Sequence, residues 1–156
     1  MDKIIGFVGY GNMGYAMVNS IIREKLVPIE NIIVSKETIT EKDMLRNKDN
    51  IKLFNKYKID MSIRELSPKT IYNYETLTTD NIEVAKNADI LVLAIKPNVF
   101  GTVLKQIKNS IKKDAIVISI AAGINLSYIK GNFGESIKIV RAMPNTPALV
   151  GQGMTG

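Results

Sequence analysis

Short runs of β-branched and other apolar residues alternate along this chain with longer stretches in which an apolar residue recurs every three or four positions. Such runs are typical of strands buried on both faces of a parallel sheet, and such stretches are typical of helices packed against a sheet. The predicted strands are residues 3–8, 31–35, 90–95, 114–123 and 137–140.

The stretches between these strands predict helices that each carry one apolar face. They cover residues 13–24, 80–88, a stripe from Val99 to Ile111, and a short helix that Asn125 can cap. Because strands and helices alternate, we predict an α/β fold with a Rossmann-type, doubly wound and mainly parallel sheet that has helices on both faces.

Residues 36–74 do not follow this pattern. They are rich in Lys, Asn and Asp, and their apolar residues are scattered. The segment allows some helix, but its polar character predicts no element boundaries.

The length of 156 residues fits a single domain that can bury a core, so we treat residues 1–156 as one domain. Cysteine and histidine are absent, which removes thiolate chemistry and the most common general base and metal ligand. We predict no metal site. The sequence has no apolar run near the length of a membrane span, so we expect no membrane partner and a cytoplasmic location.

The net charge of +6 raises the question of nucleic-acid binding. From Lys36 to Lys69, however, nine basic and six acidic residues are interleaved, which gives a local excess of only +3. Aromatic residues make up only 6% of the chain. A solvated mixed surface explains this composition better than a nucleic-acid site, and we expect no nucleic-acid partner.

The strongest motif is GYGNMG, residues 9–14, which follows the first strand and opens the first helix. In this G-x-G-x-x-G pattern, Gly9 permits a tight turn, Gly11 lets a pyrophosphate approach the backbone, and Gly14 lets the helix pack on the strand. A glycine-rich packing turn is the alternative. The strand and helix around the motif favour dinucleotide binding.

The end of the second strand indicates which dinucleotide is bound. An acidic residue there would accept hydrogen bonds from the ribose 2′-hydroxyl of NAD, but this chain has Ser35 and Lys36. A hydroxyl donor and a cation suit the 2′-phosphate of NADP. An exposed surface lysine is an equally good interpretation of Lys36 from sequence alone, and Glu37 would weaken the NADP interpretation if the strand ended later.

Two more segments lie at the carboxyl ends of predicted strands, where doubly wound sheets bind ligands. AIKP supplies Ala94, Lys96 and Pro97, and SIAAG supplies Ala121, Ala122 and Gly123. Tight packing would explain either segment alone. Together with the glycine motif they predict one shared crevice.

The motif RAMPNTP, residues 141–147, together with IGFVGYGNMG, AIKP and SIAAG, resembles the N-terminal domain of pyrroline-5-carboxylate reductase. The resemblance implies reduction of 1-pyrroline-5-carboxylate, a cyclic imine carboxylate, to L-proline in proline biosynthesis, by hydride transfer from NADPH or NADH. The segment from Ile39 to Asn73 is longer than this family leads us to expect.

The resemblance also implies roles for individual residues. The phosphates would lie at the glycine motif, the 2′ position near Ser35 and Lys36, and the adenosine near Asn81; Met143, Pro144 and Asn145 would flank the nicotinamide and the imine. The cofactor-binding residues implied are Gly9, Gly11, Asn12, Met13, Gly14, Ser35, Lys36, Asn81, Ala94, Lys96, Pro97, Ala121, Ala122 and Gly123.

Members of this family continue into a helical C-terminal domain that dimerises and supplies the proposed proton donor. We therefore expect no catalytic residue in these 156 residues, cofactor binding with little turnover, and a homo-oligomeric full-length protein. Two alternatives stay open. One is a related reductase, of the coenzyme F420 or β-hydroxyacid dehydrogenase type, although RAMPNTP speaks against both; the other is a non-catalytic nucleotide-binding module.

Overall fold

The computed structural model describes residues 3–39, 77–145, 147–148 and 152–156. Apart from its first residue, the segment predicted as an insertion, 39–73, lies outside these ranges, as does any helix within it. The elements below are those of the described residues.

Six parallel strands form one sheet in the described part of the chain. Five were predicted from their apolar, β-branched runs; the third has only two residues and was missed. They are β1 (Ile5–Val8), β2 (Ile32–Ser35), β3 (Leu77–Thr78), β4 (Ile90–Leu93), β5 (Ile116–Ser119) and β6 (Lys138–Arg141).

The strand order is β3-β2-β1-β4-β5-β6. The chain winds outward from β1 in one direction and then, after β3, crosses back to β4 on the other side of β1. This reversal between β1 and β4 is the topological switch point of a doubly wound sheet, beside which ligands bind in such folds. The predicted fold class is confirmed.

Four α-helices lie in the described ranges, together with a 3₁₀ turn at Ile29–Asn31. Asn125 caps a helix as predicted, since its side chain accepts from Tyr128 N at 2.8 Å. Asp80, predicted as the first residue of a helix, is instead its cap, and its carboxylate accepts from Ile82 N at 2.8 Å. The helices are α1 (Asn12–Arg23), α2 (Asn81–Asn87), α3 (Pro97–Ile107) and α4 (Leu126–Phe133).

The helices cover both faces of the sheet, as predicted. On one face, Val18 and Ile22 of α1 pack with Phe7 and Val34. On the other face, α2, α3 and α4 pack against inward residues of β4 and β5, including Leu91 and Val117. Each large apolar side chain buried in these two layers contributes roughly 1.5–3 kcal/mol relative to exposure. This packing holds the loops at the strand ends in place.

Helix α2 approaches β1 closely because β1 has glycine at its second position. A β-carbon on Gly6 would lie 2.7 Å from the Ala88 β-carbon and 2.8 Å from Val84 Cγ1. A larger residue would push α2 away from the sheet. The glycine therefore fixes the position of Asn81, the first residue of α2, beside the carboxyl end of β2.

Two strands end earlier than their apolar runs predicted. β4 ends at Leu93 instead of Ile95, and β5 ends at Ser119 although small and apolar residues continue to Gly123. In both cases the remaining residues turn away from the sheet and line its edge. Apolar character persists at Ala94 because it packs against the loop after β1, and at Ala121 because it is buried in a core cluster.

Candidate functional site

The carboxyl ends of all six strands lie in one row. The strands are parallel, and their register pairs Val8 with Ser35 and with Leu93, Ser35 with Thr78, and Leu93 with Ser119, which in turn pairs with Arg141. Every loop singled out from the sequence therefore leaves the sheet at the same edge. The predicted site residues are brought together along this edge, as the motif spacing required.

The glycine loop crosses the sheet edge at the switch point. Gly9 has φ +100°, and a β-carbon there would lie 2.8 Å from the carbonyl carbon of Ala94 and closer still to its oxygen. A β-carbon on Gly14 would lie 2.6 Å from the Gly9 carbonyl oxygen. The first and third glycines of the motif are thus required by the protein's own packing.

Gly11 differs from the other two glycines of the motif. Its φ and ψ of −77° and −165° suit any residue, and a β-carbon there would meet nothing within 4 Å. It is exposed and immediately precedes α1. No contact within the described protein explains a glycine here, so the open space above it is where a ligand can reach the backbone.

Helix α1 starts directly at this open space. Its first residue is Asn12, exposed, followed by half-buried Met13, and no acidic residue lies in its first turn. The amide N–H groups of a helix N-terminus and its dipole favour an anion. The loop and helix together can hold a phosphate group.

The end of β2 differs from the sequence prediction in one respect. Ser35 is fully buried, and its hydroxyl lies 2.6 Å from Asn81 Oδ1 and 3.5 Å from the Phe7 carbonyl oxygen. The predicted direct hydrogen bond from Ser35 to a 2′-phosphate does not fit this arrangement, because its one proton is donated to Asn81. Asn81, half-buried at the start of α2, is the group that faces the edge.

Lys36 begins the loop after β2. The strand ends at Ser35, as predicted, and the Lys36 backbone N–H donates to the Thr78 carbonyl oxygen at 3.0 Å. Lys36 is half-buried, whereas Glu37 is exposed. Of the two charged residues after β2, the cation Lys36 is therefore the one that directly follows Ser35.

The loops after β4 and β5 complete the middle of the site. Half-buried Ala94 packs under the glycine loop. Lys96 immediately precedes α3 and Pro97 is the first residue of that helix, and both are exposed. After β5, Ala121 is buried, and Ala122 and Gly123 are exposed. Gly123 has φ +74° with open space around it, so this turn needs glycine and leaves room beside it.

The segment after β6 doubles back on itself. Pro144 forms an antiparallel bridge with Thr155, and the Met143 N–H donates to the Gly156 carbonyl oxygen at 2.9 Å. The Asn145 side-chain oxygen accepts from Met154 N at 2.9 Å. Met143 and Asn145 are exposed at the strand-end edge, where these contacts hold the Met143 backbone and the Asn145 side chain.

A groove of about 440 Å³ separates this segment from α1. The sequence did not predict that the outward face of α1 would contribute to it, because a helical stripe is equally typical of plain core packing. Likewise Gln106 of α3, which accepts from Asn81 Nδ2 at 2.9 Å, gave no signal in the sequence. The groove is lined by residues that include Met17, Ile21, Ile120, Ala142, Pro144 and Thr155.

The opposite edge of the sheet carries a charged group of a different kind. Asp89, just before β4, accepts from Ile4 N at 2.9 Å and pairs with Lys112 Nζ at 3.0 Å. The Ile4 N–H and then the Lys112 ammonium hold the pKa of Asp89 below its ordinary value. This group stabilises the fold far from the crevice.

Two findings apply to the described ranges alone. No three His, Cys, Asp or Glu side chains there cluster as metal ligands would. No helix in those ranges is both long enough and apolar enough to cross a membrane.

A tight glycine turn after β1, an open glycine before α1 and a crevice at the switch point together define the dinucleotide-binding domain of a Rossmann-type oxidoreductase. The chain belongs to the family described as NADP oxidoreductase coenzyme F420-dependent, whose model matches residues 4–123.

The chain is also similar to curated pyrroline-5-carboxylate reductases. The Escherichia coli enzyme is 36% identical over 155 residues, which cover 99% of this chain and 49% of the relative. This match includes RAMPNTP, which lies beyond the residues that the family model matches. The predicted resemblance is therefore confirmed, and the chain spans about half the length of the curated relatives it matches.

Solved structures agree with this likeness. The Plasmodium falciparum pyrroline carboxylate reductase with NADP bound has a TM-score of 0.73 at 27% identity, over 99% of this chain and 47% of that one. A pyrroline-5-carboxylate reductase from Coxiella burnetii also has a TM-score of 0.73, at 30% identity, over 100% and 49%. This chain therefore shares its fold with these enzymes.

Proposed function

We propose that this chain is the NAD(P)H-binding domain of a pyrroline-5-carboxylate reductase. The whole enzyme would reduce 1-pyrroline-5-carboxylate to L-proline, with NADPH preferred and NADH accepted. The names of the similar proteins support this activity, and the NADP bound to the Plasmodium falciparum relative supports the cofactor. Since the chain spans about half of these relatives, the complete reaction is proposed for the whole protein.

The observation that carries the proposal is the contrast among the three motif glycines. Gly9 and Gly14 are glycine because backbone atoms would meet a β-carbon, but Gly11 has nothing within 4 Å. A pyrophosphate resting on the backbone at Gly11 and on the first amides of α1 accounts for that glycine. A packing turn alone accounts for the other two.

The remaining edge residues fit the other parts of a dinucleotide. Asn81 and Lys36, beside the end of β2, would bind the adenosine ribose, and the small residues after β4 and β5 would leave room for the cofactor beyond the phosphates. Met143, Pro144 and Asn145, held by residues 154–156, would flank the nicotinamide and the imine.

For hydride transfer, these residues need to position the nicotinamide and the imine; the reaction does not require them to supply a nucleophile. The bound reduced nicotinamide supplies the hydride, and the chain must hold the imine carbon beside it in a site that excludes water. The exposed, backbone-paired Met143 and Asn145 are suited to such positioning. We assign no proton donor among the residues of this chain, and we expect the chain by itself to bind NADPH and to turn over poorly.

We further propose that the whole protein is cytoplasmic and homo-oligomeric. Exposed apolar side chains near the groove, Val140 at 49% and Met154 at 78%, support an interface on this side. Sedimentation of the full-length protein tests the assembly, and cell fractionation tests the location. A monomeric full-length reductase would contradict the first of these.

The decisive experiment compares the wild-type chain with Gly11→Asp in calorimetric titrations of NADPH and NADH. Aspartate is a favoured N-cap, and its β-carbon would meet no protein atom within 4 Å at this position, so the variant should keep or slightly raise the thermal midpoint. Its carboxylate should nevertheless repel the pyrophosphate and weaken NADPH binding by more than about tenfold. Wild-type chain that binds neither nucleotide, or a variant that binds as well as wild type, would overturn the proposed site.

The reaction itself needs a second test. The chain can be fused to the second half of the Escherichia coli relative, and loss of NADPH absorbance measured with 1-pyrroline-5-carboxylate, using the same fusion with Gly11→Asp as the control. We expect proline formation only in the first fusion. A folded fusion that binds NADPH without reducing the imine would favour the non-catalytic nucleotide-binding module instead.

A further inference from the structure

Three side chains from three different elements form a hydrogen-bonded row beside the end of β2. The Ser35 hydroxyl lies 2.6 Å from Asn81 Oδ1, and Asn81 Nδ2 lies 2.9 Å from Gln106 Oε1. Ser35 is fully buried, Asn81 is half-buried, and Gln106 is exposed on α3. The row therefore runs from the core to the surface at the edge that holds the proposed cofactor site.

The lengths of these contacts fix the orientation of the Asn81 carboxamide. A separation of 2.6 Å is typical of O–H···O hydrogen bonds, and N–H···O bonds are usually longer, near 2.9 Å. The Ser35 hydroxyl has no comparable alternative acceptor, since the Phe7 carbonyl oxygen is 3.5 Å away. The carboxamide oxygen thus faces Ser35, and its nitrogen faces Gln106.

This orientation decides what Asn81 can offer a ligand. One N–H of its nitrogen is donated to Gln106, which leaves the other N–H as a donor. The 2′-phosphate of NADPH only accepts hydrogen bonds when ionised and carries negative charge, so a fixed donor suits it. The 2′-hydroxyl of NADH is neutral and gains less from the same donor.

We propose that Ser35 and Gln106 are positioning residues that hold the Asn81 carboxamide with its nitrogen toward the 2′ substituent of the adenosine ribose. Through Asn81 they favour NADPH over NADH without touching the cofactor themselves. This inference rests on the proposed function, since it requires the dinucleotide to lie along this edge.

The test is a mutant cycle read by nucleotide affinity. Dissociation constants for NADPH and NADH are measured with wild-type chain, Ser35→Ala, Gln106→Met and Asn81→Ala, and with each of the first two combined with Asn81→Ala. We expect each single variant to weaken NADPH binding by about three- to tenfold and NADH binding by less. Neither Ser35→Ala nor Gln106→Met should weaken NADPH binding further once Asn81 is alanine.

Gln106→Met is the more robust of the two variants because its side chain is exposed. The matched control is Asn109→Leu, which replaces another exposed carboxamide side chain, in the turn just after α3. Thermal unfolding of each variant shows whether it is folded. The inference is overturned if Gln106→Met leaves both affinities unchanged, or if NADPH and NADH lose affinity equally and the loss persists in the Asn81→Ala background. Wild-type chain that binds no nucleotide would overturn the proposed function, and this inference with it.

Discussion

Gly9 and Ala94 meet so closely at the switch point that no β-carbon fits between them: one built on Gly9 would lie 2.8 Å from the Ala94 carbonyl carbon. The two residues directly follow the neighbouring strands β1 and β4, and the Ala94 N–H donates to the Val8 carbonyl oxygen at 2.8 Å. This contact forms the base of the crevice between β1 and β4. The loop above it is positioned by backbone atoms, which cannot move aside as a flexible side chain could.

Gly9→Ala should therefore destabilise the fold. The substitution adds a backbone clash to a φ of +100°, a conformation that L-residues rarely adopt, and we expect a loss of about 3 kcal/mol in the free energy of unfolding. Urea denaturation followed by circular dichroism measures it. NADPH affinity should fall as well, because the glycine loop can no longer pack against Ala94 at the end of β4.

Gly131→Ala provides the opposite case and serves as its control. Gly131 lies inside α4, has no positive φ, and has open space where a β-carbon would go. Alanine should stabilise the helix by about 0.5–1 kcal/mol. A similar loss from both substitutions in the same denaturation experiment would contradict the role assigned to the Gly9 contact.

Lys36→Glu should reduce the preference for NADPH. A carboxylate beside the proposed 2′ position would repel the phosphate that the lysine attracts, so NADPH affinity should fall by about tenfold, with a smaller change for NADH. Calorimetric titration with both nucleotides measures the ratio. Lys113→Glu makes the same charge change in the exposed turn before β5, at the other edge of the sheet, and should leave the ratio unchanged. An equal effect of both variants would mean that the net charge of the chain, and not the position of Lys36, sets the preference for NADPH.

Stability should depend on Asp89 at low pH. Its pKa is lowered in the folded chain by the Ile4 N–H and by Lys112, so the unfolded chain binds the proton more readily. The stabilisation is complete above the ordinary carboxyl pKa of about 3.9 and is lost as pH falls through the lower, folded value.

Asp89→Asn should remove this dependence. The variant should be less stable than wild type at neutral pH, and the difference should shrink as pH is lowered below about 4. Denaturant unfolding at a series of pH values measures it, with Asp114→Asn, exposed in a nearby turn, as the control. A difference that stayed constant with pH would show that the carboxylate charge is not the cause.

Much of the fold could be predicted from local patterns. The β-branched run around Phe7 and the apolar spacing of α1 specify a strand and a helix by themselves, and GYGNMG identifies the turn between them. Asp80 and Asn125 marked helix starts because a cap bonds to amides only two or three residues away. These signals need no distant partner.

Features that depend on distant partners were not predicted. β3 has two residues and forms only because Leu77 and Thr78 pair with β2. The pairing of Pro144 with Thr155 is equally invisible in the prolines and glycines of that segment. In each case the element forms only through pairing with a distant segment, and no local sequence pattern predicts which segment that is.

The sequence by itself determined the order of strands and helices, the crevice at their carboxyl ends and the glycine loop. Only the tertiary structure decided which polar groups face a ligand there. Ser35 was predicted to bind phosphate, but its hydroxyl donates a hydrogen bond to Asn81, 46 residues later in the chain. Asn81 in turn donates a hydrogen bond to Gln106, 25 residues further on. Local patterns report the covalent neighbourhood of a residue, whereas burial and hydrogen-bond partners depend on which elements the sheet places side by side.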